Sequence, residues 1–558
     1  MVASVLRSLC TTLALTSVLS LAACGSSPDP AEDSDSSNLD DQNPTRISDA
    51  VVRVLENRFP GERGKTWSVT NDNRVSGDWI KQMPVASTWG AFRPLAPTTC
   101  EWAEGYDRCD RDFGLTTCTT DADCTSHGKC AALRATVAGP NQQPRSLCVG
   151  HSDEILDSIY DLITSANEFV DITSLTPPDG RFEATIRNAI TRLAQSGRAV
   201  NVRMNFGDFP GQSISLRDSY DELVRNLWAD TKSPIRITLG TFKPSSMTWN
   251  HSKVIAVDGK KALVGGMNLW TQHYLDANPV HDVSVLIEGS AAASAHRFAN
   301  SLWATSCRAR AILSFPTPDQ RRKQSSDPER VCPTDFPAGE TPTSGGARVV
   351  AVGRLGSIGP VGPSDDALLA LIDASTTSLR ILQQDLGPVK IGPVSVTDWP
   401  APILSALVRA AARGVDIRIV MSNLDSVGGT PKGFGALASS YSNGWSVEDV
   451  FKKLSETAKT LPQGVDYDAA LCKSVHLEWL RSSSSQAWPD GSKLALHSKV
   501  IAVDDRAFYV GSQNLYPADL AEFGYIIDDA ALTRDFIASY LDSVAKFSDA
   551  APAHVCGR

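Results

Sequence analysis

The chain has no surplus of positive charge. Its 558 residues carry 53 Lys and Arg against 63 Asp and Glu, a formal net charge of −10. A polyanion is usually met by a basic face, so nucleic acid is disfavoured as a partner. Strong attraction to an anionic membrane surface is disfavoured for the same reason. The apolar run Leu9–Ala23 is too short and too rich in small residues to span a bilayer. There is no H-E-x-x-H and no acidic metal cluster, and the clustered cysteines lack C-x2-C spacing. Metal chemistry is therefore not indicated, and no cofactor is expected. With 42% apolar and 21% charged residues the composition is that of an ordinary globular protein. The length allows two or three domains with a large buried core.

What is present begins with a leader. Arg7 precedes the apolar run, which ends Leu21-Ala22-Ala23-Cys24. Residues 1–24 read as a lipoprotein-type signal peptide, with Cys24 the lipidated first residue of the mature chain. Residues 25–45, rich in Ser, Asp and Pro, read as a disordered acidic tether. Setting Cys10 and Cys24 aside leaves ten of twelve cysteines, an even number suited to an oxidising compartment. Cys100, Cys109, Cys118, Cys124, Cys130 and Cys148 cluster and are expected to form disulfides. Cys307 and Cys332 flank a polar connector and are expected to pair, which leaves Cys472 for Cys556. The protein is thus expected to be exported, either held at the bacterial cell envelope by its anchor or secreted.

The eight residues HSKVIAVD occur twice, at His251–Asp258 and His497–Asp504. Each copy continues to a glycine (Gly265, Gly511), a small residue (Gly266, Ser512) and an asparagine (Asn268, Asn514), giving H-x-K-x4-D-x6-G-[GS]-x-N. One such pattern should arise by chance in roughly 10⁻⁴ of chains this long, so two copies exclude chance.

Helical and strand patterns alternate in the same order around both copies, which implies two homologous α/β lobes, each with a mainly parallel sheet flanked by helices. The boundaries read as 46–307 for the first lobe, with a Cys-rich insert at 99–149, then a linker at 308–346 and a second lobe at 347–558. His251 and Lys253, like His497 and Lys499, are two apart and share a face if the run is extended. Asp258 and Asp504 sit at the far end of an apolar strand, where a structural role, in a turn or a buried ion pair, is expected. Gly265, Gly266, Gly511 and Ser512 are small enough for close backbone approach.

Two imidazoles, two ammonium groups and two amides are what a two-step transfer on a phosphodiester requires. One histidine attacks phosphorus. The other protonates the leaving oxygen and then deprotonates the incoming water or alcohol. Lysines and asparagines hold the non-bridging oxygens. Each histidine needs an orienting carboxylate, and Asp282 and Glu522, beside the strand patterns that follow each motif, are the candidates. His281 reads as a supporting or surface residue, and His273 and the remaining histidines carry no partner pattern.

The paired motifs resemble the phospholipase D superfamily, with closer similarity to its secreted actinomycete-type group. The residues that carry this are Trp249–Lys253, Gly265–Asn268, Gln383-Gln384-Asp385-Leu386, Arg481-Ser482-Ser483, Val503–Pro517 and Glu522–Ile526. The resemblance implies a single active site at the pseudo-twofold interface of two lobes. It implies cleavage of the distal phosphodiester of phosphatidylcholine-like lipids at a membrane or micelle surface, with exchange of the head group for alcohols. It further implies His251 as the nucleophile and His497 as the acid and base, a distinction that spacing alone leaves open; the chain is expected to act as a monomer. A nuclease or other phosphodiesterase of the same superfamily is the alternative. Glu522 stands where the resemblance implies Asp. The loops Phe242–Asn250, Gly387–Pro400 and Gly428–Trp445 are placed to contact acyl chains if their apolar side chains are exposed.

Overall fold

The computed structural model describes residues 46–84, 118–123, 129–132 and 146–149. It also describes 152–548, except 153, 210–213, 226, 228–232, 276–278, 316–330, 357–361, 392–393, 396, 425, 427–440 and 489–490, and finally residue 556. The segments read from the sequence as leader and tether, Cys24 among them, and most of the insert lie outside these residues. Of the insert, a hairpin of Lys129–Ala132 with Ser146–Val149 is described, together with a Cys118–Cys130 disulfide. Cys307 is bonded to Cys332 and Cys472 to Cys556, the two pairings read from the sequence.

Two eight-stranded sheets form the frame. In chain order the strands are β1 Trp67–Asn73, β2 Ile80–Met83, β3 Phe169–Ser174, β4 Asn201–Gly207, β5 Arg236–Phe242, β6 Val254–Val257, β7 Lys261–Gly265 and β8 Asp282–Glu288. There follow β9 Ile312–Phe315, β10 Ala347–Leu355, β11 Ser378–Gln383, β12 Asp416–Met421, β13 Val475–Trp479, β14 Val500–Val503, β15 Ala507–Gly511 and β16 Ala521–Asp528. The first sheet runs β9-β5-β4-β3-β6-β7-β8-β2 and the second β1-β10-β16-β15-β14-β11-β12-β13. Six strands keep one order in both, so the lobes are homologous in topology as the repeat implied.

The sheets are mixed, which corrects the expectation of mainly parallel pairing. Only β3-β4-β5 and β11-β12-β13 are parallel, and every other pair in the two sheets is antiparallel. The reason is local. Helices Gly180–Gln195 and Ala401–Ala412 supply the long crossovers that parallel strands need, whereas the motif strands turn back through tight hairpins and can pair only antiparallel.

The apolar motif run is explained by burial on both faces. Val254 and Ala256 of β6 enter a core between the sheets, while Ile255 and Val257 enter the core under the outer helices. Val500 and Ala502 of β14 face the same central core, and Ile501 and Val503 the outer one. Strand alternation thus sends one sequence, VIAV, into two cores at once.

Two boundaries also differ from the sequence reading. Residues 46–73 belong with the second lobe: β1 pairs with β10, and the apolar face of helix Ile47–Arg58 joins that lobe's core. The linker is partly built into the frame. β9 closes an edge of the first sheet, and Arg203 and Asn300 hold the carbonyls of Thr334 and Phe336 at 2.9 and 2.8 Å. The C-terminal helix pattern resolves into Ala530–Phe536, a π turn Ile537–Leu541 and Asp542–Ser548. Among the described residues no helix is long and apolar enough to cross a membrane.

Candidate active site

Each motif histidine lies on the extended run that enters its strand; the ladder itself begins at Val254 and Val500. That run is held by the opposite half of the chain. The His251 N–H donates to the Ala521 carbonyl and the His497 N–H to the His281 carbonyl, both at 2.8 Å. Ala521 and His281 each immediately precede the carboxylate residues Glu522 and Asp282. The backbone pairing therefore carries each carboxylate across to the other half's histidine. His251 Nδ1 lies 3.0 Å from both Glu522 oxygens, and His497 Nδ1 lies 2.9 Å from Asp282 Oδ2. The two imidazoles meet edge to face, with ring centroids 6.3 Å apart and the planes at 76°.

With Nδ1–H committed to a carboxylate, Nε2 is the basic nitrogen of each ring. Burial lowers the His251 pKa to about 4, and the nearby Lys253 and Lys499 add to the effect against the pull of Glu522. Burial and the same two lysines push His497 well below its usual value. Both rings are thus held toward the neutral form near pH 7. A bound phosphodiester anion would favour the protonated form of one of them.

The lysines are buried too. Burial lowers Lys253 to about 8 and Lys499 to about 7, with Glu522 and Asp282 pulling the other way. Lys253 Nζ donates to the His251 carbonyl at 2.5 Å, and Lys499 Nζ to the carbonyl of His497. The carboxylates part company. Burial pushes Glu522 upward, but His251, Arg354 and Lys253 outweigh it and hold the group below its usual range. For Asp282 burial wins over Lys499 and its hydrogen bonds, and the group is raised.

The small motif positions make room for these pairs. A Cβ at Gly266 would collide with Asp282 Oδ1, and one at Gly265 with Ser284. At the matching place in the second motif the Ser512 hydroxyl donates to Glu522 Oε2 at 2.5 Å. A Cβ at Gly511 would collide with the Tyr509 hydroxyl. Asn268 and Asn514 are buried, and the side-chain oxygen of each has no hydrogen-bond partner among the described residues. Asn514 Nδ2 lies 2.9 Å from the Tyr516 hydroxyl. Rotating that amide would make Tyr516 the donor and free an N–H for a ligand oxygen.

The motif aspartates face away from this chemistry. Asp258 accepts the backbone N–H groups of Asn167, Glu168 and Phe169, and Asp504 those of Thr376, Thr377 and Ser378. Each ties a hairpin tip to the start of a parallel strand.

Sequence reasoning missed several neighbours. The Tyr274 hydroxyl donates to Asp282 Oδ2 at 3.0 Å and lies 3.1 Å from His497 Nδ1. The Tyr441 ring stands edge-on to His497 at 5.1 Å, and its hydroxyl bonds to His273 Nδ1. His273 is therefore buried beside the site rather than lacking a partner. Asp385, raised to about 6 by burial, accepts the N–H groups of Gly387 and Asn443 at 2.8 and 2.9 Å. It staples together two of the loops expected to face lipid. None of these has a fixed offset from the repeat; an aromatic cluster in the segment after motif one was the available signal. Most of loop Gly428–Trp445 lies outside the described residues. Among those described, no three His, Cys, Asp or Glu side chains are grouped to hold a metal ion.

The family profile described as cardiolipin synthase, PLD-like domain, matches residues 368–540. Phospholipase D of Streptomyces antibioticus is 30% identical over 586 aligned positions, covering 93% of this chain and 90% of that protein. Among solved structures, phosphatidylserine synthase of Haemophilus influenzae Rd KW20 overlaps 71% of this chain and 83% of its own, at 15% identity and a TM-score of 0.47. The phospholipase D family member Nuc of Salmonella typhimurium overlaps 32% of this chain and 83% of its own, at 20% identity and a TM-score of 0.18.

Proposed function

The chain belongs to the phospholipase D superfamily of enzymes, and from that premise we propose that it cleaves the distal phosphodiester of phosphatidylcholine-like phospholipids. The observation that carries this is the crossed pair of imidazoles, each oriented through Nδ1 by a carboxylate from the other half of the chain. His251 Nε2 attacks phosphorus, the head-group oxygen leaves, and His497 gives that oxygen its proton. The phosphatidyl group then rests on His251. His497 next takes a proton from water or an alcohol, which displaces His251 and releases phosphatidic acid or a new phosphatidyl ester. Lys253, Lys499, Asn268 and Asn514 hold the non-bridging oxygens as charge builds. Phosphohistidine chemistry of this kind needs only the chain's own groups.

The same reading has the enzyme exported, either tethered through Cys24 or secreted, and working as a monomer at a lipid surface. The leader pattern and the paired cysteines support it.

The test is incubation of the purified protein with phosphatidylcholine, ethanol and a chelator. Phosphatidic acid, choline and phosphatidylethanol are the expected products. Cleavage of DNA with no product from any phospholipid would overturn the reading in favour of a nuclease. Acid-quench trapping with a labelled short-chain substrate should leave label on the wild type and none on His251→Asn; equal label on both would exclude His251 as nucleophile.

A further inference from the structure

We propose that the cavity beside Asn514 receives an acyl chain of the lipid whose phosphate sits between the two histidines. This deepens the phospholipase reading and rests on it. The cavity measures about 880 Å³, within the range of roughly 300–1,000 Å³ that holds small-molecule ligands. Its walls come from the second lobe, Arg58 of helix Ile47–Arg58 among them. The apolar part is Leu368 and Leu369, Pro402 and Ile403 at the start of helix Ala401–Ala412, and Leu515 and Pro517 just past motif two.

The arginines that reach the cavity are already neutralised. Arg58 pairs with Asp366 at 2.5 Å, and Arg354 pairs with Asp365 at 2.6 Å while also donating to the Ala518 carbonyl. Among the described lining residues neither arginine is left unpaired to hold a second phosphate. Such a wall favours an apolar occupant, because sheltering each methylene is worth about fourfold in affinity.

The cavity is joined to the catalytic groups. Asn514 lines it and belongs to motif two, and its amide meets the Tyr516 hydroxyl in the same wall. Arg354, also in the wall, lies 3.9 Å from Glu522, the carboxylate on His251. The geometry suits the reaction. Phosphorus keeps its bond to the diacylglycerol oxygen through both steps, while the head group departs and a second alcohol enters. The retained half of the substrate therefore needs a place that stays filled as the other side empties. At the rim the Thr248 hydroxyl donates to Asp519 at 2.7 Å, and the adjacent Met247 is 54% exposed, an apolar contact available to a lipid surface.

The experiment fills the cavity from two sides with Leu369→Trp and Ile403→Trp in the full chain. Neither residue belongs to the catalytic set. Substrates share a choline head group and differ in tails: dioleoyl phosphatidylcholine and diheptanoyl phosphatidylcholine in mixed micelles, and tail-free p-nitrophenyl phosphocholine. Both variants should lose about tenfold or more in kcat/KM on the dioleoyl lipid, less on the diheptanoyl lipid, and stay within about twofold on the tail-free ester, the scale of a few lost methylene contacts. Leu369→Ala, which leaves the space open, should keep its long-chain activity, and thermal melts should show all variants folded. Equal losses on the three substrates, or none on the dioleoyl lipid, would overturn the assignment while wild-type lipid cleavage left the enzyme's function standing. A wild type that opens only the tail-free ester would overturn the phospholipase reading itself.

Discussion

Glu522 is one methylene longer than Asp282, and the residue after each motif glycine absorbs the difference. Gly266 leaves Asp282 the space a Cβ would take, whereas Ser512 braces the longer Glu522 through its hydroxyl. His251 thus keeps a two-oxygen contact at 3.0 Å although the carboxylate is not the Asp that the resemblance implied. Replacing Glu522 by Gln keeps the length and removes the charge that selects the Nδ1–H tautomer. kcat should fall by about 10²–10⁴, with thermal stability little changed, measured by steady-state assay on a short-chain lipid. The histidines, lysines and asparagines were legible because spacing along one segment fixes them. The crossing was not, because a carboxylate's partner is set by which strands pair between halves. Tyr274 and Tyr441 were invisible for the same reason: they meet His497 from segments 223 positions upstream and 56 upstream of it, with no shared motif.

The motif hairpins show what the aspartates do at the level of the element. Asp258 and Asp504 both adopt a left-handed backbone, with φ of 52° and 54°, and the next position is left-handed as well, Gly259 in one copy and Asp505 in the other. Asp tolerates that region better than most side chains, and its carboxylate here collects backbone donors from the strand start. Asp504→Ala should therefore destabilise the fold by about 2–4 kcal/mol, read from urea unfolding, by stranding those N–H groups and straining the turn. Hydrogen bonds from Ser378, Thr376 and Thr377 outweigh burial and hold the Asp504 carboxyl below its usual value. Its contribution is thus present above about pH 4 and is lost as pH falls through the lowered folded value, so the wild-type and Asp504→Ala stabilities should converge in acid. The strands themselves were readable because a run apolar on both faces, bounded by turn residues, has few other fates. Their direction was misread because alternating helix and strand patterns suggest crossovers, and the tight motif hairpins reverse the chain without one.

For the whole molecule, the site is a cost as well as a function. Lys253 and Lys499, lowered to about 8 and 7 from an ordinary 10.5, leave the unfolded chain holding more protons than the folded one at intermediate alkaline pH. Folding stability should then rise between about pH 8 and 10, by up to about 1.4 kcal/mol per pH unit for each lysine. Above about pH 10 the trend should reverse, because Tyr274, Tyr441 and Tyr540 are raised well beyond their usual value by burial and keep their protons only in the fold. Denaturant titrations at stepped pH check both limbs, and a Lys253→Met, Lys499→Met double variant should flatten the first. No rise in the wild type would contradict the burial of the two ammonium groups.

The placement of β1 has a consequence for how the chain is made. Its partner β10 begins 274 residues downstream of the last residue of β1, and helix Ile47–Arg58 docks on the helix that follows β10. Among the described residues, the first strand made therefore lacks its sheet partner until β10 has emerged. β1 also bonds to helix Ala291–Arg308 of the first lobe, through Ser68 to Ser294 and Asn73 to the Ala291 N–H, so one early strand serves both lobes and completes the second sheet. A truncation that removes residues 46–73 should expose the edge of β10 and open the core that helix Ile47–Arg58 covers, although residues 347–548 are all retained.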